Sequence, residues 1–409
     1  MKTTIKFQLS LMMFLQFFVW GGWFVTLGTF LSSNLNATGG QIAMAFSTQS
    51  WGAILAPVFI GLIADRFFNA ERILGLLHLL GSGLLYQMSQ TEDFDVFYPY
   101  VFVYMLLYMP TLALVNSVSF HQMKATAKEF PLIRTFGTVG WILSGLVISY
   151  VFAWDARESI ANGLLANTFK MVALASFILG VFSFSLPKTP PYSKGQKRFS
   201  LKDALGWDAI KLLKDRNFLI FFVASVLICI PLAFYYQQAN PFLVALEMDN
   251  PTGKMSLGQV SEVLFMLLLP VFFIRFGLKK TILAGMMAWV IRYFLFAYGN
   301  ADELTFMLIT GILLHGICYD FFFVSGQIYT DSKAGEEIKS AAQGLITLAT
   351  YGLGMLIGFW VAGKIADIYL LDGGAHDWNT IWKFPAIFAL VVFFLFLLFF
   401  KNEKIEYKK

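Results

Sequence analysis

The chain has 409 residues, of which 58% are hydrophobic and only 13% are charged. Soluble globular proteins carry about 25% charged residues, and the 45 phenylalanines here exceed what one soluble core could use. The composition therefore excludes an ordinary soluble protein and indicates a membrane protein. The formal net charge of +5 does not require a nucleic-acid partner, because the placement of the charges matters more than their sum.

Apolar segments recur along the whole chain, and they reach the roughly 20 residues that a membrane helix needs. The first is too long for a signal peptide and has no small-residue cleavage site, so we interpret it as a membrane helix. Cys229 and Cys318 both lie in apolar segments, which argues against a disulfide framework. The sequence predicts an all-α membrane protein with twelve transmembrane helices, at residues 8–31, 39–64, 72–91, 97–120, 131–154, 166–186, 217–244, 256–276, 279–299, 303–330, 338–369 and 379–400.

The longest predicted loop divides six spans from six. We predict an N-terminal six-helix bundle over residues 1–186, a cytoplasmic linker over 187–216, and a C-terminal six-helix bundle with a short cytoplasmic tail over 217–409. The linker contains Pro and Gly among several Lys and Arg residues, and an amphipathic surface helix is expected within it. We interpret its positive charges as a topology signal and a lipid headgroup contact rather than as a partner-binding site.

The placement of Lys and Arg also predicts the topology, because cytoplasmic loops carry an excess of both. With both termini in the cytoplasm, nearly all of the loop Lys and Arg residues face the cytoplasm, and Arg157 and Lys254 are the clear exceptions. The reverse orientation would place nearly all of this charge outside. We therefore predict a multi-pass protein with two cytoplasmic termini.

The arrangement of six plus six spans is typical of major facilitator transporters, whose halves are related by an axis along the membrane normal and whose substrate site lies near the midplane. GLIADRFFNAER, between spans two and three, resembles the loop signature of that superfamily. The resemblance implies a conformational-gating loop with Gly61, Asp65, Arg66 and Arg72, whose charged side chains tie helix ends together. An ordinary charged turn is the alternative interpretation. The expected fold is the major facilitator fold, with two six-helix bundles around a central cavity.

A closer resemblance covers nearly the whole chain, and it is to the bacterial nucleoside:proton symporters. The stretches that resemble this family are FLQFFVWGGWFVTLGTF, YMPTLALVNSVSF, FPLIRTFGTVGW, QVSEVLFMLLLP, WVIRYFLFAYG and YDFFFVSG. The resemblance implies proton-driven nucleoside uptake across the bacterial cytoplasmic (inner) membrane. The expected partners are a nucleoside, a proton and the lipid bilayer, and we expect a monomer. No Walker loop, metal-ligand cluster or Ser-His-Asp arrangement indicates an enzyme, a cofactor or a metal site.

Glu262 is the sharpest candidate for chemistry, because an ionisable residue inside a membrane segment is costly and usually functional. Gln259 precedes it by one helical turn, about 60° around the helix, so both project from one face of span eight. Burial disfavours the ionised carboxylate, and Glu262 could therefore bind and release a proton, or accept hydrogen bonds from ribose hydroxyls. A structural carboxylate neutralised by a buried arginine is the alternative. The family resemblance implies that Gln259 and Glu262 lie in the substrate cavity.

A polar face is also predicted in span five, where Arg134, Thr138 and Trp141 recur at i, i+4 and i+7. Arginine at a cytoplasmic helix start is often only a topology marker. The resemblance implies that Arg134 and Thr138 belong to the transport machinery. Trp141 stands where the family pattern usually has Phe, and it could stack on a nucleobase.

Asp320 lies near the middle of span ten, directly after Tyr319. It could be a second protonation site, a ligand for substrate hydroxyls, or a counter-ion for Arg134 or Arg292. His315, four residues before Tyr319, could titrate near neutral pH, although a hydrogen-bonded packing histidine is the commoner case.

Span seven departs from the family pattern, which places Gln and Asn three residues apart there. The matching positions in this chain are Ala233 and Tyr236. A register shift at Pro231 could bring Gln237 into the cavity instead, or Tyr236 could contact the base. We therefore retain proton-coupled transport of a sugar or other polyhydroxylated metabolite as an alternative to nucleoside uptake. A non-transporting membrane sensor or scaffold with the same fold is a further alternative.

Overall fold

A computed structural model describes residues 2–59, 68–124, 126–190 and 207–403 of the chain. Within these ranges the protein is helical, and the only β pairing is one isolated bridge between Leu370 and His376. The all-α prediction is confirmed. Helices are the expected solution because a lipid-exposed segment must satisfy its backbone hydrogen bonds internally.

The N-terminal part of the chain contains eight described α-helices and one π-helical segment, Val147–Val151, which follows α6 directly. The helices are α1 Thr3–Phe24, α2 Leu27–Asn34, α3 Gly39–Phe59, α4 Ala70–Met88, α5 Phe94–His121, α6 Thr126–Leu146, α7 Arg157–Ala161 and α8 Ala166–Ser183.

The C-terminal part begins with a 3₁₀ segment, Trp207–Lys214, and contains two further π-helical segments, Asp320–Val324 and Leu348–Gly354. Its helices are α9 Arg216–Ala245, α10 Pro251–Tyr298, α11 Thr305–Leu313, α12 His315–Tyr319, α13 Ser325–Thr347, α14 Met355–Ile368 and α15 Trp378–Phe399. The amphipathic helix expected in the linker falls partly outside the described residues, since nothing is described between 190 and 207.

Nine segments in the described ranges are long and apolar enough to cross a membrane. One of them is α10, which is interrupted at Gly277, where φ is 76° and ψ is 173°. Glycine tolerates this left-handed backbone because it has no Cβ. The interruption lies between the spans predicted at 256–276 and 279–299, so α10 is two helices joined at a sharp turn. The total of twelve spans stays a prediction.

The chain forms two compact units. Unit 1 comprises Met1–Ala37, Ala45–Leu201 and Asp249–Ser256, and unit 2 comprises Thr38–Met44, Lys202–Met248 and Leu257–Lys409. The predicted division into residues 1–186, 187–216 and 217–409 stays a prediction. Thr38–Met44 belongs to unit 2 although it lies in the N-terminal part of the chain. Asp249–Ser256 belongs to unit 1 although it lies in the C-terminal part.

In both short segments, a carboxylate accepts hydrogen bonds from backbone N–H groups near the start of a helix. In unit 2, Asp367 accepts hydrogen bonds from the backbone N–H groups of Gly39 (2.6 Å) and Gly40 (2.9 Å) at the start of α3. In unit 1, Asp155 accepts from the N–H of Thr252 at 3.0 Å, near the start of α10. The first N–H groups of a helix have no partner within it, and the helix dipole favours a negative charge there. Both short segments are therefore held by charge-assisted hydrogen bonds.

A buried polar network crosses the interior of unit 1. His78 on α4 contacts Gln16 on α1 through Nε2 (2.8 Å) and Ser176 on α8 through Nδ1 (2.9 Å). Gln16 also donates to the Thr111 hydroxyl at 2.7 Å and accepts from the Tyr108 hydroxyl at its backbone carbonyl, at 2.8 Å. The network joins four helices of one bundle, and hydrogen bonds are electrostatically stronger in such an interior than in water.

Candidate transport site

In unit 1, α6 carries the predicted polar face, and that face lies against α1. The Arg134 guanidinium lies 4.0 Å from the centroid of the Phe17 ring. Trp141 packs edge-on against Trp20, with ring centroids 5.6 Å apart. Thr138 lies between them on α6, and all three predicted residues are half-buried. The structure therefore brings Arg134 and Trp141 onto one α1–α6 seam, as their spacing predicts.

Small residues allow these two helices to approach closely. A Cβ added at Gly140 would collide with the backbone carbonyl of Phe14 on α1. Only glycine fits this crossing, which fixes how far the side chains of Arg134 and Trp141 extend from the seam. Sequence periodicity predicts the shared face but contains no signal for this spacing.

In unit 2, Glu262 lies in the first part of α10 and its side chain is 20% exposed. His315 on α12 lies close to it, with 3.9 Å between Nε2 and the carboxylate Oε2. His315 in turn contacts Arg292, whose Nη1 lies 3.1 Å from Nδ1 of the imidazole. Arg292 is fully buried, and its guanidinium carbon lies 3.5 Å from the centroid of the Tyr235 ring. Gln259 is half-buried, one turn before Glu262.

Asp320 and Tyr319 lie where α12 passes into a π-helical segment. The Tyr319 hydroxyl is 2.9 Å from the Tyr351 hydroxyl, and both side chains line a cavity in unit 2 together with Ser225, Gln327, Gln343 and Thr347. Asp320 is fully buried. Neither of its carboxylate oxygens has a hydrogen-bond partner among the residues that the structure describes. Arg292 contacts His315 and Tyr235 instead. The interpretation of Asp320 as the counter-ion of Arg292 is therefore not supported by a hydrogen bond between the two side chains.

Span seven is α9, and its central residues differ in their surroundings. Ala233 is fully buried and faces α14, where a Cβ at Gly358 would lie 2.6 Å from the Ala233 methyl. Tyr236 is half-buried. Gln237 is fully buried, and in the described part of the chain neither atom of its amide has a hydrogen-bond partner. Ala233 is thus a helix-packing residue, and Gln237 is a buried amide without a described polar partner.

Three residues of the predicted gating loop, Gly61, Asp65 and Arg66, lie outside the described residues. Arg72 is described and is exposed near the start of α4. Among the described residues, no group of three or more His, Cys, Asp or Glu side chains is placed to hold a metal ion.

Tyr235 and Tyr351 were not predicted as neighbours of the candidate residues. Arg292 was predicted only as a residue whose charge Asp320 could neutralise. A buried arginine in an apolar helix was the available signal, because such a charge needs a partner. The tyrosines gave no comparable signal, since aromatic residues are abundant throughout the chain.

Comparison with known proteins identifies the family. The sequence model of the family described as nucleoside H+ symporter matches residues 1–405. The chain is 43% identical to the YegT protein of Escherichia coli (strain K12), over 99% of this chain and 96% of that one. It is 33% identical to the xanthosine permease of the same strain, over 99% of both chains.

A solved structure agrees with these sequence relatives. A crystal structure of a point mutant of the nucleoside transporter NupG covers 97% of this chain and 100% of its own, with a TM-score of 0.89 and 30% identity. The fold is that of the major facilitator transporters, as the sequence predicts, and the protein is a multi-pass membrane transporter rather than an enzyme. The chain belongs to the nucleoside H+ symporter family.

Proposed function

We propose that this protein takes up nucleosides together with protons by alternating access. The observation that supports this most directly is the polar cluster of unit 2, in which Glu262, His315 and Arg292 meet inside membrane-spanning helices. Such groups are costly in a membrane and mark ion or substrate pathways. We further propose that the protein lies in the bacterial inner membrane as a monomer in contact with lipid, with both termini in the cytoplasm.

Within unit 2, Glu262 is the proposed centre of proton coupling. Its side chain is one-fifth exposed, so water can reach the carboxylate, whereas Asp320 is fully buried. Gln259 and Tyr319 are proposed substrate contacts, because one neighbours Glu262 on the same helix and the other lines the cavity. Asp320 is a proposed second protonation site and substrate ligand.

Further proposed substrate contacts are Arg134, Thr138 and Trp141 in unit 1, and Tyr236 and Gln237 in unit 2. Arg134 can donate to substrate oxygens, and Trp141 can stack on a nucleobase, a contact that contributes about 1–3 kcal/mol per base in single-strand nucleic-acid binders. The buried Gln237 amide lacks a described partner, and a substrate could supply one. Gly61, Asp65, Arg66 and Arg72 are proposed to form the gating loop.

The function is tested by uptake into proteoliposomes. Labelled uridine, adenosine and xanthosine are compared with a labelled hexose, with and without an inward proton gradient. We expect at least one nucleoside to accumulate above its external concentration only when the gradient is imposed. Hexose uptake should stay at the level of protein-free liposomes.

Two outcomes would overturn the proposal. Accumulation of the hexose instead of any nucleoside would indicate a different cargo, and the altered span seven would then be the first place to look. Nucleoside equilibration that the proton gradient leaves unchanged would indicate a uniporter. In the control, a protonophore is added to the same tightly sealed liposomes, so that the proton gradient is lost while the protein is unchanged.

A further inference from the structure

The side chain of His315 is held in one orientation by contacts on several sides. Its ring stacks on Tyr235 (centroids 5.4 Å apart) and on Tyr319 (5.9 Å apart). The next residue, Gly316, donates its backbone N–H to the Ser261 hydroxyl at 3.0 Å, directly beside Glu262. The imidazole is therefore held in place relative to the part of α10 that carries Glu262.

The contact with Arg292 determines which ring nitrogen bears the proton. A guanidinium is always protonated and offers only donors. At 3.1 Å from Nη1 of Arg292, Nδ1 of His315 must therefore accept. The neutral ring then has its proton on Nε2, because the hydrogen bond at one nitrogen sets the state of the other. Nε2 is the atom that faces Glu262.

The distance from Nε2 to the Glu262 carboxylate is 3.9 Å, which is longer than a hydrogen bond of about 2.7–3.2 Å. The Glu262 side chain is partly exposed, so a rotamer change or a bridging water can complete the contact. The titratable and charged groups that face His315 are Tyr235 from α9, Glu262 and Arg292 from α10, and Tyr319 one turn further along the chain. Asp320, Tyr236 and Tyr319 lie near enough to Glu262 to interact with its charge. Of the described groups that face His315, Glu262 is the one carboxylate, and it faces the donor nitrogen.

We propose that Arg292 and His315 form a chain of hydrogen-bond donors that ends at the Glu262 carboxylate, with His315 as the positioning residue that sets the pH range of uptake. This inference rests on the proposed role of Glu262 in proton coupling. Arg292 fixes the imidazole tautomer, and the imidazole N–H stabilises the carboxylate once its proton has left. Since no proton passes through His315 itself, a side chain with an equivalent N–H can replace it.

The test measures the pH profile of gradient-driven nucleoside uptake for wild type, His315→Phe and His315→Gln. The glutamine amide places an N–H close to the position of Nε2, whereas phenylalanine keeps the ring and loses the donor. We expect the glutamine variant to keep the wild-type midpoint within about 0.3 pH units. We expect the phenylalanine midpoint to move to higher pH by about one unit, since a carboxylate without its donor holds its proton more firmly.

Two further variants keep the test decisive. Arg292→Met should move the midpoint in the same direction as His315→Phe, because the imidazole is then free to change tautomer. If the phenylalanine variant fails to fold, His315→Asn replaces it, because the asparagine side chain is too short for its amide N–H to reach Glu262. The same rise in the pH midpoint of uptake is expected.

The outcomes separate this inference from the proposed function. Gradient-driven uptake by wild type with an unchanged midpoint in His315→Phe or His315→Asn would overturn the inference alone and leave His315 a packing residue. A wild-type protein that shows no gradient-driven uptake would overturn the proposed function and this inference with it.

Discussion

Asp320 and Glu262 are both carboxylates within membrane-spanning segments, but their surroundings differ. The Glu262 side chain is partly exposed and lies 3.9 Å from His315. Asp320 is fully buried, and neither oxygen is hydrogen-bonded to a described residue. Ionising a carboxylate in such a place costs several kcal/mol. The protonated form of Asp320 is therefore the one that fits this conformation.

Replacing Asp320 with Asn tests this assignment. Asparagine has nearly the shape of protonated aspartate and cannot release a proton. We predict that Asp320→Asn keeps the thermal unfolding midpoint of the wild type in detergent, with a change in stability under about 1 kcal/mol. We also predict that gradient-driven accumulation falls at least tenfold while exchange of labelled for unlabelled nucleoside continues.

Two results would contradict this prediction. Full gradient-driven accumulation by Asp320→Asn would remove Asp320 from proton coupling. A large loss of stability would show that the carboxylate is ionised and paired in the folded protein. Ser325→Ala, at a fully buried polar residue five positions further along the chain, serves as the matched control.

At the residue scale, the sequence predicted which side chains share a helix face better than it predicted their contacts with other helices. The α6 face of Arg134, Thr138 and Trp141 follows from helical spacing alone, and the structure has Arg134 and Trp141 on one seam. The contact of His315 with Arg292 could not be predicted in the same way, because the two residues are 23 positions apart and on different helices.

The side chain of His78 joins α4 to α1 and α8 in unit 1. Removing it leaves the buried Gln16 amide oxygen and the buried Ser176 hydroxyl without this partner, and each lost partner costs about 1–3 kcal/mol. We predict that His78→Ala lowers the thermal unfolding midpoint in detergent by several degrees, measured by scanning fluorimetry. His121→Ala, at an exposed histidine at the end of α5, should stay within about 0.5 kcal/mol of wild type. Equal midpoints for the two variants would show that the network does not contribute to stability.

The start of α10 depends on a carboxylate from a distant part of unit 1. Asp155 accepts from the Thr252 N–H and from the Ser149 hydroxyl, and Ser149 accepts from the Gly253 N–H at 2.7 Å. A negative charge at a helix start contributes about 0.3–1 kcal/mol, and up to about 2 kcal/mol where it is partly buried. The buried Asp155 belongs to the second case.

We therefore predict that Asp155→Asn speeds amide hydrogen exchange over residues 251–256 by roughly tenfold, which corresponds to about 1.4 kcal/mol. Exchange is measured by mass spectrometry on the purified protein. The matched control is Asp93→Asn, which removes the negative charge at the start of α5, where Asp93 accepts from the Asp95 N–H. That variant should affect exchange near residue 94 and leave 251–256 unchanged. Unchanged exchange at 251–256 in Asp155→Asn would contradict the prediction.

The sequence predicted a helix boundary where the residues at that boundary themselves determine it. The break at Gly277 was predicted between spans eight and nine, because a charged Gly-containing stretch separates two apolar runs. The π-helical segments at Asp320 and Leu348 were not predictable. They add a residue to one helical turn, which leaves the hydropathy of the segment unchanged, yet they change which side chains neighbour Tyr319 and Tyr351.

At the scale of the whole molecule, the distribution of Lys and Arg predicts the orientation in the membrane, and a labelling experiment tests it. Both native cysteines are buried, so background labelling by an impermeant maleimide should be low. Lys188 and Asp372 are both exposed, and the predicted topology places the first inside and the second outside. We predict that right-side-out vesicles label Asp372→Cys only and that inverted vesicles label Lys188→Cys only.

The reverse pattern would invert the predicted topology, and labelling of both positions from one side would contradict the predicted number of spans between them. Charge placement predicts orientation because it acts locally at each loop. It could not predict that residues 38–44 pack within unit 2 or that 249–256 pack within unit 1. Those assignments depend on hydrogen bonds such as Asp367 to Gly39, which join residues far apart in the chain.

The most direct test of proton-coupled nucleoside uptake is to let the nucleoside drive the proton. Uridine, adenosine or xanthosine is added to proteoliposomes with no imposed gradient, and the external pH is recorded while labelled uptake is followed in parallel. We predict that wild type makes the external medium more alkaline as the nucleoside enters. Glu262→Gln should show no pH change but should still exchange labelled nucleoside. Nucleoside entry through wild type without any pH change would contradict proton coupling.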